Sequence, residues 1–439
     1  MVIGSVVKLA WRNVLQNRKK TMAALIAITS GFVSLNIFQG YIYDVGLQLE
    51  DTFSKRMMFG EIIVERSSAD TASRIESTEH LFSKEEQLFL DETLAKEPNV
   101  TGSVRFLTVS GMATNGKMSS FFLGSAYDLE KGKKMREAVW EWNTRAGKPL
   151  DQSPEGSVVI GRTFGQLLGC EEEESHEFVG GKGGYPPADR PFKCHNPRLQ
   201  LQVATVGGQA NAESVSVAGI TGGVFAALDQ KFVAMPLEMG QRLMNTDAVS
   251  YVSIGVREPG QAQAVIDSIS KAASAKGFKW AVRSWRIHPI ADFYWQSMSF
   301  FNLQRNFFVA VILMIALLSV MNTVIRIVRE RTREIGTLRS LGFKARDVRN
   351  IFLLESAFLA VLGIAVGVVV CLTSVFVINT ISFPYLVGVL SEPTPFQVTL
   401  TLERSLESAG ILVLVSVLAA IAPTERAVRQ RIVQCLTAT

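Results

Sequence analysis

The chain has 439 residues, 48% of them hydrophobic and 19% charged, with a net charge of +5. That length admits about two or three domains, but the average hides a split. Runs 21–43, 306–325, 356–391 and 408–424 carry no charge, whereas 44–305 has the mixed composition of a water-soluble domain. The basic excess gathers beside the apolar runs, so membrane topology accounts for it and charge gives no ground for a nucleic-acid partner.

A membrane span needs roughly 20 apolar residues to cross about 30 Å of hydrocarbon. Runs 21–43 and 306–325 reach that length, while 408–424 is shorter and borrows a turn from Ser405, Leu406 and Glu407. Run 356–391 is too long for one span; it predicts a helix to Thr380, then a non-cytoplasmic segment broken at Pro384. The first run exceeds a signal-peptide core of about 7–15 residues and lacks a small-residue cleavage site. It ends in Tyr41, Ile42 and Tyr43, so a retained span is expected.

Basic residues flank three of the same-side segments. They are Lys8, Arg12, Arg18, Lys19 and Lys20; the seven Lys/Arg of 329–350; and Arg426, Arg429 and Arg431. The positive-inside tendency places all three in the cytoplasm. The predicted order is a cytoplasmic segment 1–20, span 21–43, extracytoplasmic domain 44–299, span 300–328 and cytoplasmic segment 329–350. It continues with span 351–380, an extracytoplasmic loop 381–405, span 406–425 and a cytoplasmic tail 426–439. The fold class is thus an α-helical membrane protein with four transmembrane helices and a large mixed α/β extracytoplasmic domain between helices 1 and 2.

Within that domain, Asp44–Lys55 continues the first helix and "GEIIVERSS" (60–68) reads as a strand. "SKEEQLFLDETLAKEPNV" (83–100) opens with Ser83 and Glu86 in a capping-box spacing, which predicts a helix. Residues 103–126 predict two strands around an Asn115-Gly116 turn. Further strands are expected at 157–160, 201–206, 214–220, 231–235 and 250–256, with helices at 162–169, 237–245 and 260–276. Gly111, Gly116 and Lys117 have the spacing of a phosphate-binding loop, but Met118 stands where a magnesium-binding Ser or Thr is needed. A β-turn fits better, and ATP hydrolysis by this chain is not expected. His80, His176, His195 and His288 are scattered without a G-x-S-x-G nucleophile motif, so a catalytic role is not expected either.

Cys170 and Cys194 both fall in this domain. An oxidising exterior permits a disulfide between them. With His176 and His195 nearby, a Cys/His metal site or two unpaired thiols stay open as alternatives.

Segment 329–350, "RERTREIGTLRSLGFKARDVRN", is the most densely charged stretch, yet it lies between two of the greasiest. Ile335, Leu338 and Leu341 at i, i+3, i+6 form a short apolar stripe. Glu330–Arg333 and Arg331–Glu334 are i,i+3 pairs that favour a helix, and Gly342 ends it. Three readings remain: a topological loop, a helix on the lipid surface, or a helix that docks on a soluble partner.

"ERTREIGTLRSLGFKARDVRNIFLLESAFLAVLGIAVGVVV" (330–370) closely resembles the signature of the FtsX-like permease family. Glu330, Arg331, Arg333, Glu334, Ile335, Gly336, Leu338, Arg339, Leu341, Gly342, Glu355, Gly363 and Gly367 match the pattern; Ser340 replaces a usual Ala. Pro423 and Ala427 match the family's ending. More loosely, 158–169, 215–243 and the Trp285 segment are similar to lipoprotein-releasing and macrolide-exporter permeases.

The resemblance implies half of an ABC transporter working by mechanotransmission. A separate cytoplasmic ATPase subunit binds ATP and magnesium, and this chain itself binds no cofactor or metal. Arg331, Arg333, Glu334, Ile335, Leu338, Arg339 and Leu341 become the ATPase-coupling residues. A second permease subunit, identical or similar, is implied, with Gly363 and Gly367 offering close helix packing at that contact. The substrate is expected to be a lipoprotein, lipid or amphiphile, at the bacterial inner membrane with both termini cytoplasmic. A non-transporting scaffold regulating a cell-wall enzyme is the alternative, disfavoured by the size of 44–299. The polar span residues Asn36, Gln39, Asn322 and Thr323 are expected to make helix–helix hydrogen bonds.

Overall fold

A computed structural model describes residues 18–67, 80–136, 144–173, 190–222, 226–381, 383–386, 393–430 and 435. Its helices, in chain order, are α1 (Arg18–Asp51), α2 (Lys84–Leu94), α3 (Leu129–Arg136), α4 (Arg162–Leu167), α5 (Ala226–Asp229) and α6 (Leu237–Met244). They continue with α7 (Ala262–Lys276), α8 (Asp292–Glu330), α9 (Thr332–Ser340), α10 (Ala345–Ile381) and α11 (Leu402–Val428). The strands are β1 (Ile62–Arg66), β2 (Val100–Thr114), β3 (Ser119–Tyr127), β4 (Thr144–Gly147), β5 (Ser157–Gly161), β6 (Cys170–Glu172) and β7 (Phe192–Cys194). After these come β8 (Arg198–Ala204), β9 (Ala210–Thr221), β10 (Phe232–Pro236), β11 (Tyr251–Val256), β12 (Trp280–Ser284), β13 (Pro384–Leu386) and β14 (Pro393–Pro395). Contacts divide the chain into two units: Met1–Val45 with Met298–Ser382 and Phe396–Thr439, and Gly46–Ser297 with Phe383–Pro395.

The first unit is helical. Four segments, Thr21–Arg56, Pro289–Glu330, Ala345–Ile381 and Leu402–Val428, are long and apolar enough to cross a membrane. The helices outrun the predicted spans because charged residues such as Arg346 and Arg349 extend them past the apolar runs. Inside the bundle Ala24 and Ile28 meet Val320, Val324, Leu359, Ala360 and Ala420, all buried. Phe307, Met314, Val369, Phe376 and Leu414 are exposed on its outside. Large side chains left outward in such numbers suit hydrocarbon as solvent rather than water.

Two glycines let α1 and α10 touch. A Cβ at Gly363 would lie 2.9 Å from Ile28 Cγ2, and one at Gly367 would lie 2.9 Å from Phe32 Cδ1. Thr29 Oγ1 donates to the Gly363 carbonyl at 2.9 Å across the same contact. The expectation that this pair serves a contact between two permease chains is therefore corrected: the first span of the same chain already occupies it. The polar residues divide as well. Ser408 donates to Gln39 Oε1 across helices at 3.3 Å. Asn36 and Thr323 instead donate to Phe32 and Ser319 carbonyls on their own helices, as short polar side chains can at i−4.

The second unit is mixed α/β. Its main sheet runs β12-β1-β11-β2-β3-β10-β5-β9-β4, with β8 pairing β2 and β9. β1 is buried along Ile62–Glu65 because β11 and β12 flank it on both sides, so its apolar residues run together instead of alternating. β2 and β3 form a hairpin ending at Thr114↔Ser119. Asn115 Oδ1 accepts from the backbone N–H groups of Lys117 and Met118 at 2.9 and 2.7 Å. This turn is the false phosphate-loop pattern. At the start of α2 the Ser83 N–H donates to Glu86 Oε2 and the Glu86 N–H to Ser83 Oγ, a complete capping box.

The sheet buries both faces. Leu107, Val109, Phe122, Ala126, Val233 and Met235 join residues of α2, α6 and α7 in the larger core. The alternate positions Phe106, Tyr127, Val159 and Ala234 pack with Met58 and Leu150 in a smaller one. Such alternation is what a strand with a buried residue on each side requires.

Candidate functional site

The charged segment between the second and third spans is built as a tight helical corner. α8 ends at Glu330; Arg331, at φ −102° and ψ 16°, breaks the helix; and α9 follows over nine residues. Gly342 takes φ +96°, a conformation that suits a residue without Cβ, before α10 begins. Residues 345–350 form the first turns of α10, which continues into the third span.

The predicted apolar stripe points in two directions. Ile335 is buried, and Leu338 packs partly buried against the same cluster of Val328, Val348 and Phe352. Burying an Ile side chain fully is worth roughly 1.5–3 kcal/mol, so Ile335 pins α9 to its own bundle. Leu341 is 73% exposed and Phe343 38% exposed. Only the end of the stripe is available to anything outside the chain.

The charges divide the same way. Arg331 Nη1 donates to both carboxylate oxygens of Glu355, at 2.9 and 3.1 Å, and its Nε donates to Glu334 Oε2 at 2.7 Å. Its guanidinium also lies 5.4 Å from the Phe352 ring centroid. The Arg331 and Glu355 side chains are 14% and 11% exposed. Burial acts to lower the Arg331 pKa, but Glu355 first and Glu334 after it outweigh burial and raise it. The arginine is a fixed cation, and a largely buried charge-assisted pair of this kind sets geometry. Arg339 Nη1 donates to the Gln430 carbonyl at 2.6 Å. Between α10 and α11, Arg349 pairs with Glu425 at 3.2 Å, and Glu425 also holds Arg429 at 2.9 Å.

Of the seven residues selected from sequence, the structure turns Arg331, Ile335, Leu338 and Arg339 toward their own chain. Arg333, Glu334 and Leu341 stay exposed. Sequence reasoning missed Glu355 as the partner of Arg331, although it is an acid directly before the apolar run of α10, a signal that such a residue has a partner. It also missed Phe343. The N-terminal basic residues Lys8 and Arg12, and Arg431 in the tail, lie outside the described residues.

In the α/β unit, Cys170 and Cys194 sit opposite each other on β6 and β7 and are disulfide-bonded. Both sulfurs are thereby spent, which removes the alternatives of a Cys/His metal site and of two free thiols. His195 Nδ1 lies 3.1 Å from the Gly169 carbonyl, and His176 falls outside the described residues. His288 is buried with Nε2 3.1 Å from Glu65 Oε2. Among the described residues there is no group of three or more His, Cys, Asp or Glu arranged to hold a metal ion.

Four candidate spans, an α/β domain inserted after the first, and a helical corner between the second and third define a multi-pass membrane protein. Residues 306–432 match the FtsX-like permease C-terminal family. The chain is 29% identical over 79 residues to the ABC transporter permease YtrF of Bacillus subtilis, 18% of each protein. It is 36% identical over 86 residues to the macrolide export ATP-binding/permease protein MacB of Campylobacter jejuni, covering 19% of this chain and 13% of that one. The matches thus span less than a fifth of these relatives' length. An uncharacterised ABC transporter permease of Methanocaldococcus jannaschii, MJ1507, is 19% identical over 84% of this chain and 83% of its own. Among solved structures, the periplasmic region of MacB from Actinobacillus actinomycetemcomitans superposes with a TM-score of 0.33 at 11% identity, over 57% of this chain and 97% of that one.

Proposed function

We propose that the chain is the permease subunit of an ABC transporter, and that the corner around α9 receives movement from a separate ATPase subunit. The observation that carries this reading is the division of the corner. Its inner side is clamped by Ile335 and the Arg331–Glu355 pair, while Leu341 and Phe343 stand exposed among Arg333, Lys344 and Arg346. An apolar pair ringed by charges is the surface a soluble partner takes. Because the corner is fixed to α8 and α10, pressure on it is transmitted along those helices instead of being absorbed by a loop.

In this reading the partner binds ATP and magnesium, and a second permease subunit, identical or similar, completes the complex. The chain lies in the bacterial inner membrane with both termini cytoplasmic and the inserted α/β domain outside. Movement of that domain then extracts or exports a lipoprotein, a lipid or an amphiphilic compound. The MacB relative, whose name joins ATP-binding and permease functions, supports the pairing with an ATPase.

The test is co-purification of the tagged full chain from its own membranes, with ATPase activity measured on the complex. Leu341→Asp and Glu334→Lys are expected to release the ATPase or uncouple it, with membrane insertion unchanged. Normal ATPase association and coupling in both variants would reduce the corner to a topological loop. Depletion separates the two roles. Retention of lipoprotein in the inner membrane supports transport, whereas intact lipoprotein sorting with a cell-wall defect would support the scaffold role instead.

A further inference from the structure

A cavity of about 200 Å³ opens on the face of the sheet that carries the smaller core. It is wider than an apolar cavity of about 150 Å³ that accepts benzene. Phe106, Val159, Phe232 and Tyr251 line it from β2, β5, β10 and β11. Phe106 and Tyr251 stack at 4.9 Å with their rings 14° apart. These walls are apolar, and the interior behaves accordingly: the Tyr251 phenol is pushed above its ordinary 10.0, by burial first and then by Glu65.

Two arginines break the pattern. Arg56 and Arg136 both line the cavity and are only 4% and 9% exposed. Arg56 donates to the Gly222 carbonyl at 2.7 Å. Arg136, the last residue of α3, has its guanidinium 5.7 Å from the Tyr127 ring centroid. Among the described residues no carboxylate pairs with Arg136. An aromatic face attracts a cation, but it does not supply the charge-assisted hydrogen bonds that five N–H donors can make. A buried charge is ordinarily paired. Among the described residues, the cation therefore sits on an apolar chamber with donor capacity left for an anion.

We propose that this cavity is a binding site for an amphiphile, with an apolar chain among Phe106, Phe232 and Tyr251 and an anionic head group on Arg136. A carboxylate or a phosphate monoester would satisfy the same donors; a neutral head would leave the guanidinium as it is. The site is independent of the coupling corner. It requires no ATPase, so binding and coupling fail separately.

The experiment uses the full chain held in amphipol, without ATPase, and isothermal titration with octyl phosphate, octanoate, octanol and inorganic phosphate. Octyl phosphate or octanoate is expected to bind at one site per chain, at least 10-fold more tightly than octanol or inorganic phosphate; which of the two binds better identifies the head group. Arg136→Met should weaken the anionic ligand about 10-fold or more while leaving octanol unchanged, and Arg136→Lys should restore part of the loss. Ala234→Leu, which adds bulk to the lining, should weaken all chain-bearing ligands, with near-ultraviolet circular dichroism checking that the variant stays folded. Equal affinity of wild type and Arg136→Met for both anions overturns the head-group assignment. Unchanged binding in folded Ala234→Leu places the ligand elsewhere and overturns the site.

Discussion

Two arginines of the molecule, Arg331 in one unit and Arg136 in the other, are surrounded in opposite ways. In the membrane unit Arg331 is held by both oxygens of Glu355 and by Glu334. In the α/β unit Arg136 is buried to a similar degree against an aromatic ring, with no carboxylate partner among the described residues. The first arrangement is charge-paired within the chain and holds it together; the second, among the described residues, retains donor capacity. The same side chain thus serves as a clamp where its anions belong to the chain, and in the proposed site as a receptor for an anion from outside.

Removing one partner should separate the two most sharply. Glu355→Ala leaves a buried guanidinium without its main anion, and breaking a buried pair in this way costs about 3–5 kcal/mol. Denaturant titration in detergent should show that loss, and Arg331→Met with Glu355→Leu together should recover most of it. Arg136→Met breaks no ion pair among the described residues, so its stability should stay within about 1 kcal/mol of wild type, since the cation–π attraction is what is lost there. A loss on Arg136→Met as large as that on Glu355→Ala would mean that both arginines are clamps.

The next effect tests whether the clamp depends on close helix packing as well as charge. Gly367→Leu would drive a side chain into Phe32, whose ring already lies 2.9 Å from the position of a Cβ. Overpacking of this kind costs about 1–3 kcal/mol, read as a lower thermal midpoint of the full chain in detergent. No change would mean that α1 and α10 separate easily. Leu341→Asp, at an exposed position, should change stability by no more than about 0.5 kcal/mol while abolishing coupling to the ATPase. A stability loss as large as that of Gly367→Leu would show that Leu341 also belongs to the clamp.

How far the sequence revealed each half follows from the range of the interactions. Uncharged runs mark the spans because the bilayer acts on each helix separately. Ser83 and Glu86, or Asn115 and Gly116, announce a cap and a turn because their bonds close within a few residues. β4, with only Thr144–Gly147, and β12 carry too little pattern to stand out, and their partners β9 and β1 lie far along the chain. The helical spacing of Ile335, Leu338 and Leu341 was legible, but not which of them faces inward. That depends on Val348 and Phe352, which reach α9 only after the chain turns at Gly342. The pairing of Arg331 with Glu355, 24 residues apart, is hidden for the same reason. The surroundings of Arg136 could not be read at all, since the described ones, such as Tyr127 and Phe106, come from strands.

The smallest predicted effect concerns a carboxyl group intermediate between the two arginine environments, near charges yet partly desolvated. Glu61 Oε2 accepts from the Val256 N–H at 2.9 Å. Burial nevertheless raises its pKa above the ordinary 4.5, against the lowering by that hydrogen bond and by Lys55 and Arg286. The folded chain therefore holds this proton more tightly than the unfolded chain. In the linkage relation the unfolded state then binds fewer protons, so stability falls as pH rises. The group's contribution is greatest below pH 4.5, declines as pH climbs from 4.5 through the raised folded value, and is level above it. Glu61→Gln keeps an oxygen acceptor for Val256 and removes the titration. The stability difference, wild type minus Glu61→Gln, measured by urea unfolding of the full chain in detergent between pH 4 and pH 8, should fall across that window and then flatten. A difference that rises with pH would mean that Lys55 and Arg286 outweigh burial, and that Glu61 is held as an anion in the manner of Glu355.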